Sequence, residues 1–199
     1  YYGFEGVVLS GTPVLNLAKH TLAGNKISGF KGILNGTTNY ILTRMEEGMP
    51  YDAALKKAQE LGYAEADPTG DVEGLDALGK VVILTNVVLE KKLSWEDVER
   101  KGITEITEDD IKKAKEEGKR WKLIGSAEVQ SDGSVKAKVW PEKLSLNDPL
   151  AGVGEAINAL TFNTDELGLV TIIGPGAGKR ETGFSLLIDL LEMNRKFST

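Results

Sequence analysis

Asp76 and Lys80 stand four residues apart among neighbours that are small or apolar, with Leu75, Ala77, Leu78, Val81 and Val82 on either side. On a helix that spacing puts the carboxylate and the ammonium on one face, in a setting drier than an ordinary surface ion pair. Desolvation lowers the pKa of a lysine and an adjacent carboxylate raises it, so such a pair is suited to giving or taking a proton. Asp76 would then hold the lysine or bind a substrate ammonium. The competing reading is a structural ion pair. Acidic residues cluster just upstream: Glu65, Asp67, Asp71, Glu73 and Asp76 fall in twelve positions, where 30 acidic residues in 199 would average about two. For Asp71 and Glu73 a helix macrodipole would be cause enough. Two further segments could bind an anion. Asn35-Gly36-Thr37-Thr38 combines backbone amides with two hydroxyls at a helix start, and Gly174-Pro175-Gly176-Ala177-Gly178-Lys179 joins a strand to a helix. Each also reads as plain architecture, a cap in the first case and a tight turn in the second. The glycine run is not a P-loop, because three residues rather than four separate its outer glycines and Arg180 stands where a magnesium-binding hydroxyl belongs.

Composition narrows the chemistry. The 199 residues contain no cysteine and one histidine, His20. Disulfides, thiolate catalysis, cysteine-held metals and histidine clusters are therefore excluded, and a Ser-His-Asp relay has no evident members. A net charge of −6 argues against a general grip on nucleic acid or anionic membrane. Lys80 and Glu90 bracket the greasiest run, Val81 to Leu89, which falls short of the roughly 20 residues a membrane span needs. The expectation is a soluble cytoplasmic protein of carboxylates, lysines, hydroxyls and backbone, with no nucleic-acid or membrane partner. It opens at Tyr1 without a methionine, as though within something longer.

The elements that must carry these groups follow from periodicity. Thr12-Pro13 reads as a helix start and Gly24-Asn25 as its stop; Ile27 to Leu34 reads as a strand, followed by a polar turn over 35–39 and a helix over 40–47. Pro50 opens a helix that Gly62 closes, and Tyr63 to Asp71 reads as a loop. From Glu73 to Leu89 the pattern predicts a helix with a polar start and an almost wholly apolar end. Capping signals Ser94 with Asp97 and Thr107 with Asp110 predict short helices over 95–101 and 108–117. A two-residue period then predicts a hairpin of 122–130 with 135–139. Leu160 to Asn163 reads as a strand, Leu169 to Ile173 as a strand buried on both faces, and 181–196 as a helix with Phe184, Leu187, Ile188 and Leu191 on one side. The sum is an α+β fold with a mixed sheet covered mainly on one face by helices. His20 reads as surface or partner-facing, and Trp95, Trp121 and Trp140 as core or interface.

Taken in order, Glu5 to Val14, Gly32 to Ile41, Leu61 to Pro68 and Gly74 to Lys80 resemble the substrate domain of the homoserine dehydrogenases, and the resemblance extends to the Gly174–Gly178 turn and terminal helix. That family interconverts L-homoserine and L-aspartate 4-semialdehyde with NADP or NAD, in threonine, methionine and isoleucine biosynthesis. The resemblance implies Lys80 as the proton-transfer residue with Asp76 assisting. It implies Glu65 for the homoserine ammonium, with Gly36, Thr37, Tyr63 and Asp71 at the substrate, and Gly62 and Gly178 near the dinucleotide. Glu5, Val8, Ser10 and Thr12 match a monovalent-cation site, normally sodium. It also implies a homodimer formed through the sheet. Residues 1–199 would form one substrate-binding, catalytic and dimerisation domain, whose ends, about 1–15 and 174–199, pack toward a nucleotide-binding domain. That Rossmann domain, with a further catalytic lysine, is expected upstream of Tyr1, which makes the chain a fragment or truncated form. The alternative is a non-enzymatic dimerisation or ligand-binding module that keeps the fold without the dinucleotide domain.

Overall fold

Ile27–Ile33 forms β1, the strand on which the rest is hung. The computed structural model describes residues 1–198, so Thr199, the last residue of the 174–199 end, lies outside it. Before β1 comes α1 (Val14–Asn16), which widens into a π turn over Leu17–Thr21. After it come α2 (Gly36–Glu46), α3 (Tyr51–Glu60), α4 (Thr69–Val72), α5 (Leu75–Val88), β2 (Val98–Arg100) and α6 (Glu108–Glu116). The long hairpin of β3 (Lys119–Val129) and β4 (Val135–Ser145) follows, then the hairpin of β5 (Ile157–Thr164) and β6 (Gly168–Pro175), then α7 (Lys179–Phe197). The strand order is β2-β4-β3-β1-β5-β6. All neighbours are antiparallel except β2 with β4, so the sheet is mixed and the fold is α+β.

Side-chain alternation sends Phe30, Leu123, Ala127, Val139, Leu160 and Phe162 to one face, where they meet Ile41, Leu42, Val81 and Leu84 of the helices. In α5 the buried residues Ala77, Leu78, Val81, Leu84 and Thr85 repeat at helical spacing, as the apolar run requires. The opposite face carries a small cluster at one end, where Ile33, Ile124, Leu144 and Ala159 meet Leu150, Ala151 and Val153. Elsewhere that face is polar, with Lys31 paired to Asp148 and the Thr161 and Thr171 hydroxyls 2.9 Å apart.

Several local expectations are corrected. The Ser94–Asp97 capping box forms, but it starts a single 3-10 turn rather than a helix, because Val98 to Arg100 pair in parallel with Ala137 to Val139. Strand pairing outweighs the local helix signal there. The 169–173 strand lies at the sheet edge, with Leu169 64% exposed, rather than buried on both faces. Thr12 does not cap α1, since its hydroxyl donates to the Pro175 carbonyl at 3.1 Å and Pro13 takes the cap position. The turn over 35–39 is the cap and first turn of α2, and α4 already begins at Thr69, inside the 63–71 loop. Phe184, Leu187 and Leu191 of α7 are exposed. His20 is at the surface, 3.1 Å from Glu192.

Lys122 is 2% exposed. Its Nζ donates to Asn39 Oδ1 at 2.9 Å and to the Val153 carbonyl at 2.6 Å, pinning α2 to the 150–157 segment. Burial lowers its pKa from 10.5 to about 8, with Glu46 opposing and Arg120 adding to the fall. Between those values the unfolded chain binds the proton that the folded chain has released, so stability rises with pH across that window. Wild type should therefore gain stability relative to Lys122→Met, by on the order of 3 kcal/mol over the whole window, as urea unfolding is followed upward from about pH 7.5. A pH-independent difference between the two proteins would contradict the burial argument.

Candidate active site

β1 runs out at Ile33, and the next two residues organise the charges. The Leu34 carbonyl accepts from Lys80 Nζ at 2.8 Å. Asn35 is extended (φ −131°, ψ 116°) and caps α2, its Oδ1 accepting from the Thr38 amide at 2.9 Å and the Thr38 hydroxyl at 3.0 Å. The other end of the same side chain joins two carboxylates. Asn35 Nδ2 donates to Asp71 Oδ1 at 2.6 Å and to Asp76 Oδ2 at 2.9 Å. Asp76 Oδ2 also accepts from Lys80 Nζ at 2.7 Å. Asp71 belongs to α4 and Asp76 to the first turn of α5, and the break between these helices falls at Gly74, whose φ of +79° is left-handed and favours glycine. The Lys80 side chain is 16% exposed and that of Asp76 40%, so the ammonium is shielded while the carboxylate keeps an opening to water. Burial pushes the Asp71 carboxyl above the usual carboxylate range; the Asn35 hydrogen bond opposes the rise and the neighbouring Asp76 charge adds to it.

A second arm approaches from the loop after α3. Thr37 Oγ1 donates to the Tyr63 carbonyl at 2.6 Å, and the Tyr63 ring packs on Tyr40 with centroids 5.2 Å apart. Gly62, with φ of +76°, turns the chain out of α3. Gln59 Nε2 donates to the carbonyls of Glu65 and Ala66 at 3.0 and 3.3 Å, which pins the backbone and leaves Glu65 on an exposed loop. The five acidic residues thus divide. Asp71 and Asp76 converge on Asn35; Asp67 accepts from the Thr69 amide at 3.1 Å at the start of α4; Glu73 accepts from Thr104 at 3.2 Å and lies 3.7 Å from Arg100.

Asn158 is a polar residue at an inward position of β5 that the sequence reading passed over. Its side chain is 1% exposed, and neither Oδ1 nor Nδ2 has a hydrogen-bond partner, a state that costs roughly 1–3 kcal/mol. It lies between the start of α2 and the glycine turn: a Cβ on Gly176 would fall 2.0 Å from Asn158 Oδ1, and one on Gly36 would fall 3.2 Å from it. A buried carboxamide with donor and acceptor both free, beside a turn without side chains, fits a polar ligand arriving there. Gly178, with φ of +132°, ends that turn. The available signal was a polar residue at the inward parity of Leu160 and Phe162.

Glu5, Val8, Ser10 and Thr12 are all buried, and Ser10 bonds Thr182 and Ser185 of α7. The Glu5 carboxylate accepts from the Leu15 amide at 3.1 Å and from the Asn16 amide and side chain at 3.0 and 2.8 Å, capping α1. Burial raises its pKa, against those hydrogen bonds. Leu9 and Ser10 have φ of 56° and 41°. Among the described residues no group of three or more His, Cys, Asp or Glu could hold a metal ion. No helix among them is long and apolar enough to cross a membrane.

The family model described as homoserine dehydrogenase matches residues 13–191. An NAD(+)-dependent homoserine dehydrogenase of Pseudomonas canavaninivorans is 53% identical over 194 residues, which is 98% of this chain and 55% of that protein. The crystal structure of a homoserine dehydrogenase from Thiobacillus denitrificans superposes with a TM-score of 0.92 at 36% identity, over 96% of this chain and 44% of that one. A hyperthermophilic archaeal homoserine dehydrogenase in complex with NADPH gives 0.81 at 35% identity, over 98% and 56%. The chain spans about half the length of the curated relatives it matches. With the family model covering most of its length, the chain belongs to the homoserine dehydrogenase family.

Proposed function

We propose that this chain is the substrate-binding and catalytic part of a homoserine dehydrogenase, interconverting L-homoserine and L-aspartate 4-semialdehyde with NAD or NADP. The observation that carries the reading is the shielded Lys80 ammonium, held at 2.7 and 2.8 Å between Asp76 Oδ2 and the Leu34 carbonyl beside the Thr37–Tyr63 contact. An ammonium has three protons, and these two acceptors use two of them. The third is free to meet the substrate oxygen. When the aldehyde is reduced, Lys80 Nζ gives a proton to the nascent alkoxide; when the alcohol is oxidised, the hydroxyl proton returns to Nζ. Asp76 holds the nitrogen in place and balances its charge. NAD or NADP, when bound, supplies the hydride chemistry, with Gly62, Gly178 and the unpaired Asn158 amide as its nearest candidates on this chain.

Substrate recognition follows from charge. Glu65, with Asp71 close by, takes the homoserine ammonium, and the first-turn amides of Gly36 and Thr37, which have no intrahelical acceptor, suit its carboxylate. Tyr63, held by Thr37 and Tyr40, would flank the substrate. The carbonyls of Val8, Ser10 and Thr12 with the Glu5 carboxylate would offer a hard cation an oxygen-only donor set, and a single carboxylate suits a single charge such as sodium. The uncovered sheet face around Lys31 and Thr161 would receive a second copy. The exposed apolar residues of α7 and the N-terminal segment packed on it would meet the nucleotide-binding domain. A non-enzymatic module would leave the Lys80–Asp76–Asp71 cluster without a role.

In the full-length protein, Lys80→Met should lower kcat by about 10²–10⁴ while circular dichroism stays unchanged. An unaltered kcat would remove Lys80 from the chemistry. Glu65→Gln should instead raise the KM for homoserine about tenfold or more with a smaller effect on kcat, as expected for a lost charge-assisted contact. If the KM held, Glu65 would not be the ammonium site. Replacing sodium chloride by choline chloride should lower the thermal midpoint if the cation reading holds, and an identical midpoint in both salts would oppose it.

A further inference from the structure

We infer that Asn35 is the positioning residue of this site: its carboxamide, bound at one end to the start of α2, bridges Asp71 and Asp76 at the other and sets their separation and orientation toward Lys80. The inference rests on the reading of Lys80 as the proton-transfer group. A primary amide offers two N–H donors and two acceptor lone pairs, and here all four are used. Nδ2 serves Asp71 Oδ1 at 2.6 Å and Asp76 Oδ2 at 2.9 Å, while Oδ1 serves the amide and hydroxyl of Thr38. The orientation is unambiguous, because a flipped amide would point its oxygen at two carboxylates and its NH2 at a backbone N–H.

Two carboxylates converging on one point repel each other, and water would otherwise fill the gap between them. One NH2 group placed between them offsets that repulsion without adding charge, so Lys80 remains the single cation of the cluster. The neighbouring residue Leu34 binds Lys80 through its carbonyl. Two consecutive residues at the end of β1 therefore touch all three charged groups. A shift of β1 or α2 would move them together. The groups that bear on Asp71 are Asn35 and Thr37 from the start of α2 and Asp76 and Lys80 from α5. The Asn35 bond lowers its pKa, so its loss moves the Asp71 titration upward.

The test separates the cap from the bridge. Asn35→Ser keeps a side-chain oxygen for the Thr38 amide but cannot span to the carboxylates; Asn35→Asp keeps shape and cap and replaces the bridging NH2 by an acceptor. In the full-length protein both should retain the wild-type circular dichroism, lower kcat by about 10- to 100-fold, change the homoserine KM far less, and displace the limbs of the pH–rate profile. Carbon-13 carboxyl NMR should show Asp71 titrating at higher pH in both. Retention of kcat and of the pH profile within about twofold in Asn35→Ser, or an unmoved Asp71 titration, overturns the bridge. Asn35→Asp decides the matter if the serine variant does not fold, since aspartate is among the strongest caps. Should wild type fail to oxidise homoserine with either dinucleotide, the functional reading falls, and the Asp71 titration, which needs no turnover, still decides the role of Asn35.

Discussion

An ammonium group leaves water at a cost that only replacement oxygens can offset, and in this chain those oxygens come from the end of one central strand and one turn of one helix. Lys80 exchanges water for the Leu34 carbonyl and the Asp76 carboxylate. Asp76 in turn shares the Asn35 amide with Asp71. The cluster holds because β1 lies between β3 and β5, where its end cannot move without breaking two ladders. The apolar half of α5, from Val81 onward, sits against the same sheet and fixes the helix that carries Lys80 and Asp76.

The buried second half of α5 and its polar first turn are thus two parts of one device. Core packing supplies rigidity at one end, and the polar first turn carries the charged cluster at the other. The glycine turn after β6 stands against the start of α2 through Asn158, and Thr12 bonds the turn from the other side through the Pro175 carbonyl. The N-terminal segment, the turn and α7 therefore form one packed unit beside the cluster, joined by Ser10 with Thr182 and Ser185 and by the Glu5 amide with Asp189. Its outer surface carries exposed leucines and phenylalanines, Phe184, Leu187, Leu190 and Leu191 among them.

Much of the site was legible before any coordinates. The i,i+4 spacing of Asp76 and Lys80 among apolar neighbours pointed to a shielded pair, and the lysine is shielded. The spacing could not say that the aspartate stays half open, because exposure depends on what packs opposite. Acidic enrichment over 65–76 marked the stretch that holds Asp71 and Asp76 without sorting its members. Asp67 and Glu73 serve the backbone and Thr104, whereas Asp71 turns inward. Asn35 read as a cap, which it is, but a cap signal describes only the half of the side chain that faces its own helix. The bridge to residues 36 and 41 positions away is a long-range fact.

The chain's own order of residues determined what local physics can determine: the helical stripe of α5, the capping boxes at Ser94 and Thr107, the β3–β4 hairpin, the absence of thiols, and the residue types available for proton transfer. Those depend on contacts within a few residues, where spacing alone decides which side chains meet. Tertiary structure decided that 98–100 pairs as a strand, that 169–173 lies at an edge, that Thr12 serves the glycine turn, and that a single asparagine joins two carboxylates. Each of these turns on which distant segment arrives alongside. That choice is made by the burial of the whole core and the register of the sheet, and no local window contains it.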